Sequence, residues 1–247
     1  MKVTFVVLLI SVAAHAGVAA EPAIERMPAA LETRYALSAL PPAMRDQAAV
    51  YLLDPAKGYQ LARQGTSGFT CIVERTAWEH ADFRNDIYVP LCYDAAGTQT
   101  YLKVIMDAAA LRAGGMSPAA LKAEIEKRYR DGTYTAPDKP GLSYMLAPVM
   151  RTWMLPDGQV HTMTMVHLMF YAPNLADADI AGTPGLEPLR AFVFEEGLPQ
   201  QRYMVVFAGE AERARTLSDE KALLSDLCGY RAVLCLPAAS ASVGERG

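Results

Sequence analysis

The chain has 247 residues, of which 52% are hydrophobic and 20% are charged, with 23 basic and 27 acidic side chains. This composition is that of an ordinary globular protein, and the length is ample for one sizeable core. The net charge of −4 argues against electrostatic capture of nucleic acid, which needs a basic footprint.

The first twenty residues predict a secretory signal peptide. A positive start at Met1-Lys2 precedes an apolar run at 3–14, and small residues follow at 14–16 and 18–20. We expect cleavage after Ala20, with cleavage after Ala16 as the alternative. Later apolar runs are too short to span a bilayer. The mature protein is therefore predicted to be exported, periplasmic or secreted, without stable membrane insertion.

Four cysteines, Cys71, Cys92, Cys228 and Cys235, lie in the predicted exported part. An even number in an oxidising compartment predicts disulfides, although four cysteines allow three pairings. Proximity in sequence favours Cys71–Cys92 and Cys228–Cys235. Two buried free thiols at Cys71 and Cys92 are the alternative.

The first half of the mature chain predicts helix, then mostly strand. Pro90 indicates that its segment is an edge strand or an extended segment, because proline cannot donate to a ladder. The predicted strands lie at 50–53, 59–63, 69–74, 87–93 and 101–106. The predicted helices lie at 29–40, 43–49 and 107–112, and a loop is expected at 75–86.

A helix over 117–131 has the clearest local signal. Ser117 suits the N-cap, Pro118 suits the first helical position, and Gly132 suits the residue after the end. One apolar stripe recurs every four residues, so we interpret its charged face as a solvated surface. The stripe is Leu121, Ile125 and Tyr129, and the expected i, i+4 ion pairs are Glu124–Arg128 and Glu126–Arg130.

The second half predicts an antiparallel hairpin of strands 142–153 and 160–171 about a turn at 156–158, with Pro148 at an edge or kink. A long loop, a strand, a helix and a disordered tail follow at 173–190, 203–208, 218–227 and 237–247. These elements predict a single α+β domain over 21–236, an antiparallel sheet with helices packed on one face.

Histidine and methionine are concentrated in one stretch, 161–171. On one continuous strand, alternate side chains share a face. That face would carry His161, Met163, Met165, His167 and Met169. Imidazole and thioether ligands suit Cu(I), and Met145, Met150 and Met154 of the partner strand would assist. Core filling is the more usual work of methionine, so this copper site is the third of three functional hypotheses.

Two further site hypotheses involve histidine chemistry. A catalytic site would use His167 as general base, with Cys71 or a serine as nucleophile. No local motif of a hydrolase accompanies it. His80, with Trp78, Glu79 and Asp82, lies in the loop between Cys71 and Cys92, where we expect a surface loop or, if functional, ligand contact.

A calcium hypothesis rests on oxygen-bearing side chains after the predicted strand. Asn174, Asp177 and Asp179 offer ligands of the type used by extracellular calcium sites. Capping of the loop by the same side chains explains them equally well and is favoured.

Four segments together resemble an uncharacterised family of exported bacterial proteins: 68–71 (GFTC), 90–94 (PLCYD), 143–146 (SYML) and 167–173 (HLMFYAP). The resemblance spans about residues 36–208 and implies export and a single domain, but no assigned activity. The family pattern includes His167 and Met169, and it lacks His161, Met163, Met165 and the Cys228–Cys235 end.

The leading functional prediction is a non-catalytic, exported domain that binds a small molecule or a protein, with no cofactor. An exported hydrolase-like enzyme centred on His167 is the alternative, and copper binding by the His/Met strand is the third. The sequence names neither the ligand nor the partner.

Overall fold

The computed structural model describes residues 23–154, 157–195 and 197–237. The predicted signal peptide and all but the first residue of the predicted tail lie outside these residues. The described α-helices are α1 (Ala29–Leu37), α2 (Ala95–Gln99), α3 (Tyr101–Ala113), α4 (Pro118–Arg130), α5 (Asp177–Ile180), α6 (Glu210–Asp219) and α7 (Lys221–Tyr230). None of these helices is long and apolar enough to cross a membrane.

Ten described strands form two sheets. They are β1 (Ala49–Asp54), β2 (Gly58–Arg63), β3 (Thr70–Glu74), β4 (Val89–Tyr93), β5 (Leu142–Met145), β6 (Met150–Met154), β7 (Gln159–Met163), β8 (His167–Tyr171), β9 (Phe192–Phe194) and β10 (Tyr203–Phe207). The large sheet has the order β2-β1-β3-β4-β5-β8-β10-β9, and β6 and β7 form the small one. Among the described strand pairs, only β1 and β3 are parallel. The predicted α+β domain with a mainly antiparallel sheet is therefore confirmed.

The helices are divided between the two faces of the large sheet, whereas one shared face was expected. Leu31 and Tyr35 of α1 pack with Cys71 and Val73 on one face, and α7 joins them. On the other face, α3 packs against the alternate residues Ile72, Leu91 and Tyr93. Both faces of β3 and β4 are thus buried, as their nearly continuous apolar sequences require.

Both predicted disulfides are formed. Cys71 and Cys92 lie directly opposite each other on β3 and β4, with 4.1 Å between their Cα atoms. Cys228 of α7 bonds to Cys235, which follows a short 3-10 helix. The alternative of free thiols at Cys71 and Cys92 is therefore wrong.

Two local predictions in the first half are also wrong. Residues 101–106 begin the 13-residue helix α3 and are not a strand. Its buried residues Tyr101, Leu102 and Ile105 recur at helical spacing, and their packing overrides the β propensity of Tyr, Val and Ile. Strand β4 lies inside the sheet and not at an edge. Pro90 is tolerated because β5 pairs with β4 only at Cys92 and Tyr93.

The helix predicted over 117–131 is confirmed as α4. Its stripe of Leu121, Ile125 and Tyr129 is buried. On the outer face, Nε of Arg128 lies 2.8 Å from a Glu124 oxygen, and Arg130 approaches Glu126 at 4.0 Å. Pro118 opens the helix and Gly132 has a φ of 80°, as expected, whereas Ser117 occupies the N-cap position without a side-chain capping hydrogen bond.

The predicted hairpin divides into two pairs of strands. Strands β6 and β7 pair about the turn, as predicted, but they form the separate small sheet. Strands β5 and β8 pair in the large sheet. The chain leaves the large sheet after β5, in the segment that holds Pro148, and returns after Met163. We call β6 and β7 the hairpin below.

Candidate ligand-binding cavity

A cavity of about 510 Å³ lies between the second face of the large sheet, helix α3 and the hairpin. Its floor consists of alternate residues from six strands of the large sheet, β3, β4, β5, β8, β9 and β10, since only every second side chain points to this face. These floor residues include Leu91, Met145, His167, Met169, Phe192 and Val205. The volume is within the range of pockets that enclose small organic molecules.

Aromatic side chains form much of the wall. Trp153 of the hairpin and Trp78 of the loop before β4 both line the cavity, and they are the two tryptophans of the whole sequence. His80 stacks on Trp153 with 4.4 Å between ring centroids. The loop at 75–86 was predicted, and it contributes a short 3-10 helix, Trp78–His80, to the wall.

Five methionines line the cavity: Met145, Met150, Met154, Met165 and Met169. Their unbranched, polarisable side chains adapt to irregular shapes and contact aromatic groups favourably. A wall of this kind accommodates apolar ligands of differing outline.

An ion-pair network fixes the hairpin to the rest of the domain. Nη2 of Arg151 lies 2.6 Å from Oδ2 of Asp86, and Nε of Arg84 lies 2.8 Å from Oδ1. Burial alone would raise the pKa of Asp86, but hydrogen bonds from Arg84 and Arg151, with their charges, lower it to about 2. Tyr88 and Arg151 also form an isolated β-bridge. We call these contacts the latch.

Replacement of Asp86 by asparagine should loosen the hairpin, because it leaves two partly buried guanidinium groups without a counter-charge. We expect a loss of about 2 kcal/mol in the free energy of unfolding, measured with urea. Amide hydrogen exchange in β6 and β7 should accelerate more than exchange in β8. A Glu187→Gln variant removes an exposed ion pair with Arg190 and should change little. Unchanged exchange in the hairpin of Asp86→Asn would show that the latch does not hold it.

His167 lies in the floor of the cavity with 4% of its surface exposed. Its Nδ1 is 2.6 Å from the carbonyl oxygen of Met165, so Nδ1 carries the proton and donates it to this bond. Burial lowers the pKa of His167 to about 4, against the raising effect of that bond. The ring is therefore neutral at pH 7, and Nε2 has an acceptor lone pair.

These contacts do not assemble the proposed catalytic site. Within the described residues, no serine, thiol or carboxylate forms a hydrogen bond with His167, and a backbone carbonyl orients the ring. Cys71 is oxidised and lies in the core of the opposite face. Ser143 is buried, and its hydroxyl has no partner among the described residues.

Glu74 was missed by the sequence analysis and is an unusual feature of the cavity wall. Burial raises the pKa of this carboxyl well above its usual range, and the negative charge of Glu79 raises it further. No lysine or arginine is present among the described residues that line the cavity. Alternation along β3 places Glu74 on the face of Ile72, but the sequence does not show that this face is enclosed.

The predicted His/Met face is not formed, because the stretch is divided between β7 of the small sheet and β8 of the large sheet, with Met165 in the connection between them. His161 and Met163 belong to the hairpin, and His161 is about half exposed and bonds to Asp157 at 2.7 Å. Met165, His167 and Met169 do line the cavity together. The described residues contain no group of three or more His, Cys, Asp or Glu side chains placed to hold a metal ion.

Two of the carboxylates proposed as calcium ligands accept hydrogen bonds from backbone amides. Oδ1 of Asp177 accepts a hydrogen bond from the Val193 amide at 2.6 Å. Oδ2 of Asp179 accepts one from the Ala176 amide at 2.8 Å. Asn174 has a φ of 65°, which asparagine tolerates. The favoured interpretation as loop caps is confirmed for Asp177 and Asp179.

Comparisons with protein-family models, with curated proteins and with solved structures found no match to this chain.

Proposed function

We propose that this chain is an exported protein that binds an apolar small molecule in the cavity beneath the hairpin. The cavity itself carries the proposal. It combines a volume of about 510 Å³ with a lining dominated by aromatic, aliphatic and methionine side chains. Such a combination is the usual form of a small-molecule site.

The polar groups of the cavity suit binding better than catalysis. His167 is neutral at pH 7, and its Nδ1 is committed to the Met165 carbonyl. Among the described residues, no nucleophile forms the hydrogen bond with His167 that a hydrolase of the triad type requires. Its role is therefore to accept one hydrogen bond from a ligand at Nε2, which orients the ligand and adds specificity.

Export is supported by sequence and structure independently. The first twenty residues predict a signal peptide, and the domain contains two disulfides. Disulfides persist in oxidising compartments outside the cytosol. An apolar compound that is poorly soluble in water needs a carrier there, since removal of its surface from water contributes about 25 cal/mol per Å².

A matched pair of variants on β10 tests the proposal. Val205 is 3% exposed and lines the cavity, whereas its neighbour Val206 points to the opposite face. Diphenylhexatriene is a neutral hydrocarbon whose fluorescence rises in apolar surroundings and is excited by energy transfer from tryptophan. Val205→Phe should weaken its binding at least about tenfold by filling the cavity, since loss of a well-filled apolar contact costs about 1.4 kcal/mol or more.

The control for Val205→Phe is a substitution at the next residue of β10. Val206→Phe adds the same volume on the other face and should bind the probe as the unchanged protein does. Circular dichroism establishes that both variants fold. The proposal is wrong if the unchanged protein does not bind diphenylhexatriene, or if the two variants bind it equally well.

A further inference from the structure

We infer that the cavity selects apolar ligands that carry a protonated amine, whose N–H groups donate to Glu74. This inference rests on the proposed function and names its ligand class. Three features carry it: the sign of the charged groups in the lining, the hydrogen-bond capacity of its buried polar groups, and the aromatic wall.

The charged side chains of the lining are acidic. Glu74 and Glu79 both line the cavity, and the described lining contains no lysine or arginine. A ligand carboxylate or phosphate would meet two carboxyl groups and no fixed cationic partner. Burial disfavours the charged form of Glu74, and no cationic side chain of the described residues offsets this, so a cationic ligand would supply the opposite charge for Glu74.

Several polar groups of the lining are acceptors or are already engaged, and one donor, Nε1 of Trp153, has no partner among the described residues. The hydroxyls of Tyr93 and Tyr203 bond to each other at 2.9 Å, and the hydroxyl of Tyr101 donates to the Arg202 carbonyl at 3.3 Å. His167 is nine-tenths buried, and its Nε2 has no partner among the described residues. The Glu74 carboxyl likewise has no hydrogen-bond donor among them. A ligand rich in donors complements these two acceptors.

The aromatic wall favours a cation over a neutral group. Trp78, Trp153, Tyr93, Tyr101 and Tyr203 all line the cavity. The faces of such rings attract an ammonium group, and the Trp153 ring already has His80 stacked on it at 4.4 Å and the Arg84 guanidinium 5.5 Å from its centroid. The aliphatic or aromatic body of the same ligand would lie on the methionine-rich floor.

Binding of a cation should be linked to the proton on Glu74. The ionisable groups that face Glu74 are Glu79 in the turn after β3, Tyr93 on β4 and Tyr59 on β2. Burial and Glu79 raise the pKa of Glu74, and an ammonium partner lowers it. Affinity for an amine should therefore rise with pH, by about tenfold per unit while Glu74 is protonated in the free protein, and then level off.

The test compares three ligands with one alkyl chain: dodecylamine, dodecanol and dodecanoate. Each is used below its micelle threshold to displace diphenylhexatriene from the full chain at pH 8. Dodecylamine should bind about ten to a hundred times more tightly than dodecanol, as expected for a charge-assisted bond in place of a neutral one. Dodecanoate should bind most weakly of the three.

Variants assign the preference to one carboxyl group. Glu74→Gln keeps the shape of the side chain and should remove the advantage of dodecylamine while leaving dodecanol affinity within about twofold. The matched control is Glu32→Gln. Glu32 is a buried carboxyl, whereas Glu74 is partly buried, and Glu32 accepts a hydrogen bond from the Leu53 amide at 2.9 Å in the core of the other face. This control should retain the preference for the amine.

The outcomes separate this inference from the proposed function. Equal binding of dodecylamine and dodecanol, or an amine preference that persists in Glu74→Gln, would overturn the inference and leave the apolar binding function intact. Failure of diphenylhexatriene and of all three ligands to bind would overturn both. A preference for dodecanoate would show that the carboxyl groups do not set the selectivity.

Discussion

Acidification from pH 7 to pH 4 should cost the protein about 3 kcal/mol of stability through His167 alone. Burial lowers the pKa of this imidazole from 6.5 to about 4 in the folded state. Between these values the unfolded chain binds a proton that the folded chain does not. The contribution of neutral His167 is therefore complete above pH 6.5 and is lost as the pH falls toward 4.

The measurement is urea unfolding at a series of pH values. His167→Gln can still donate to the Met165 carbonyl but does not titrate, so its stability should fall less steeply over this interval. His161 provides the matched control, because it is about half exposed. His161→Gln should follow the unchanged protein. Parallel curves for His167→Gln and the unchanged protein would show that His167 is not buried in its neutral form.

Removal of the Cys71–Cys92 disulfide should destabilise the domain by about 3 kcal/mol. The bond joins β3 and β4 across a sequence separation of 21 residues, and both sulfur atoms lie in the core beneath α1. Without it, the unfolded chain regains the freedom of that loop. We expect a Cys71→Ala/Cys92→Ala variant to unfold at a correspondingly lower urea concentration.

The second disulfide provides an internal comparison. Cys228 and Cys235 are separated by only 7 residues, so the loop that they close restricts the unfolded chain less. The double alanine variant of this pair should lose less stability than that of the first. If the Cys228/Cys235 variant were the less stable, the difference in loop length would not be the dominant factor.

Local signals in the sequence predicted the parts of the fold that depend on local chemistry. Ser117, Pro118 and the apolar stripe that recurs every four residues predict α4 without reference to the rest of the chain. Cys71 and Cys92 are close in sequence, which favoured their disulfide among the three pairings that four cysteines allow. Short β-prone runs located β1, β2, β3 and β10 within one or two residues.

The remaining features depend on contacts between distant segments. Residues 101–106 have strand-forming side chains, yet their burial against the large sheet makes them helical. Nothing near Pro148 or Val166 reveals that the chain leaves one sheet and then returns to it. The cavity follows from that excursion, and for this reason neither it nor the role of Glu74 was predictable from the sequence. One residue of the cavity, His167, was nevertheless predicted from the sequence as a candidate site residue.

The difference in construction between the floor and the roof of the cavity should govern its kinetics. The floor is a continuous ladder of strands, and two of them are joined by the Cys71–Cys92 bond on their reverse side. The roof is a two-stranded hairpin held by the latch. Local opening is easiest where few backbone bonds must break. We therefore expect the roof to open first, so that the residence time of a bound molecule reflects the lifetime of the Arg151–Asp86 contact.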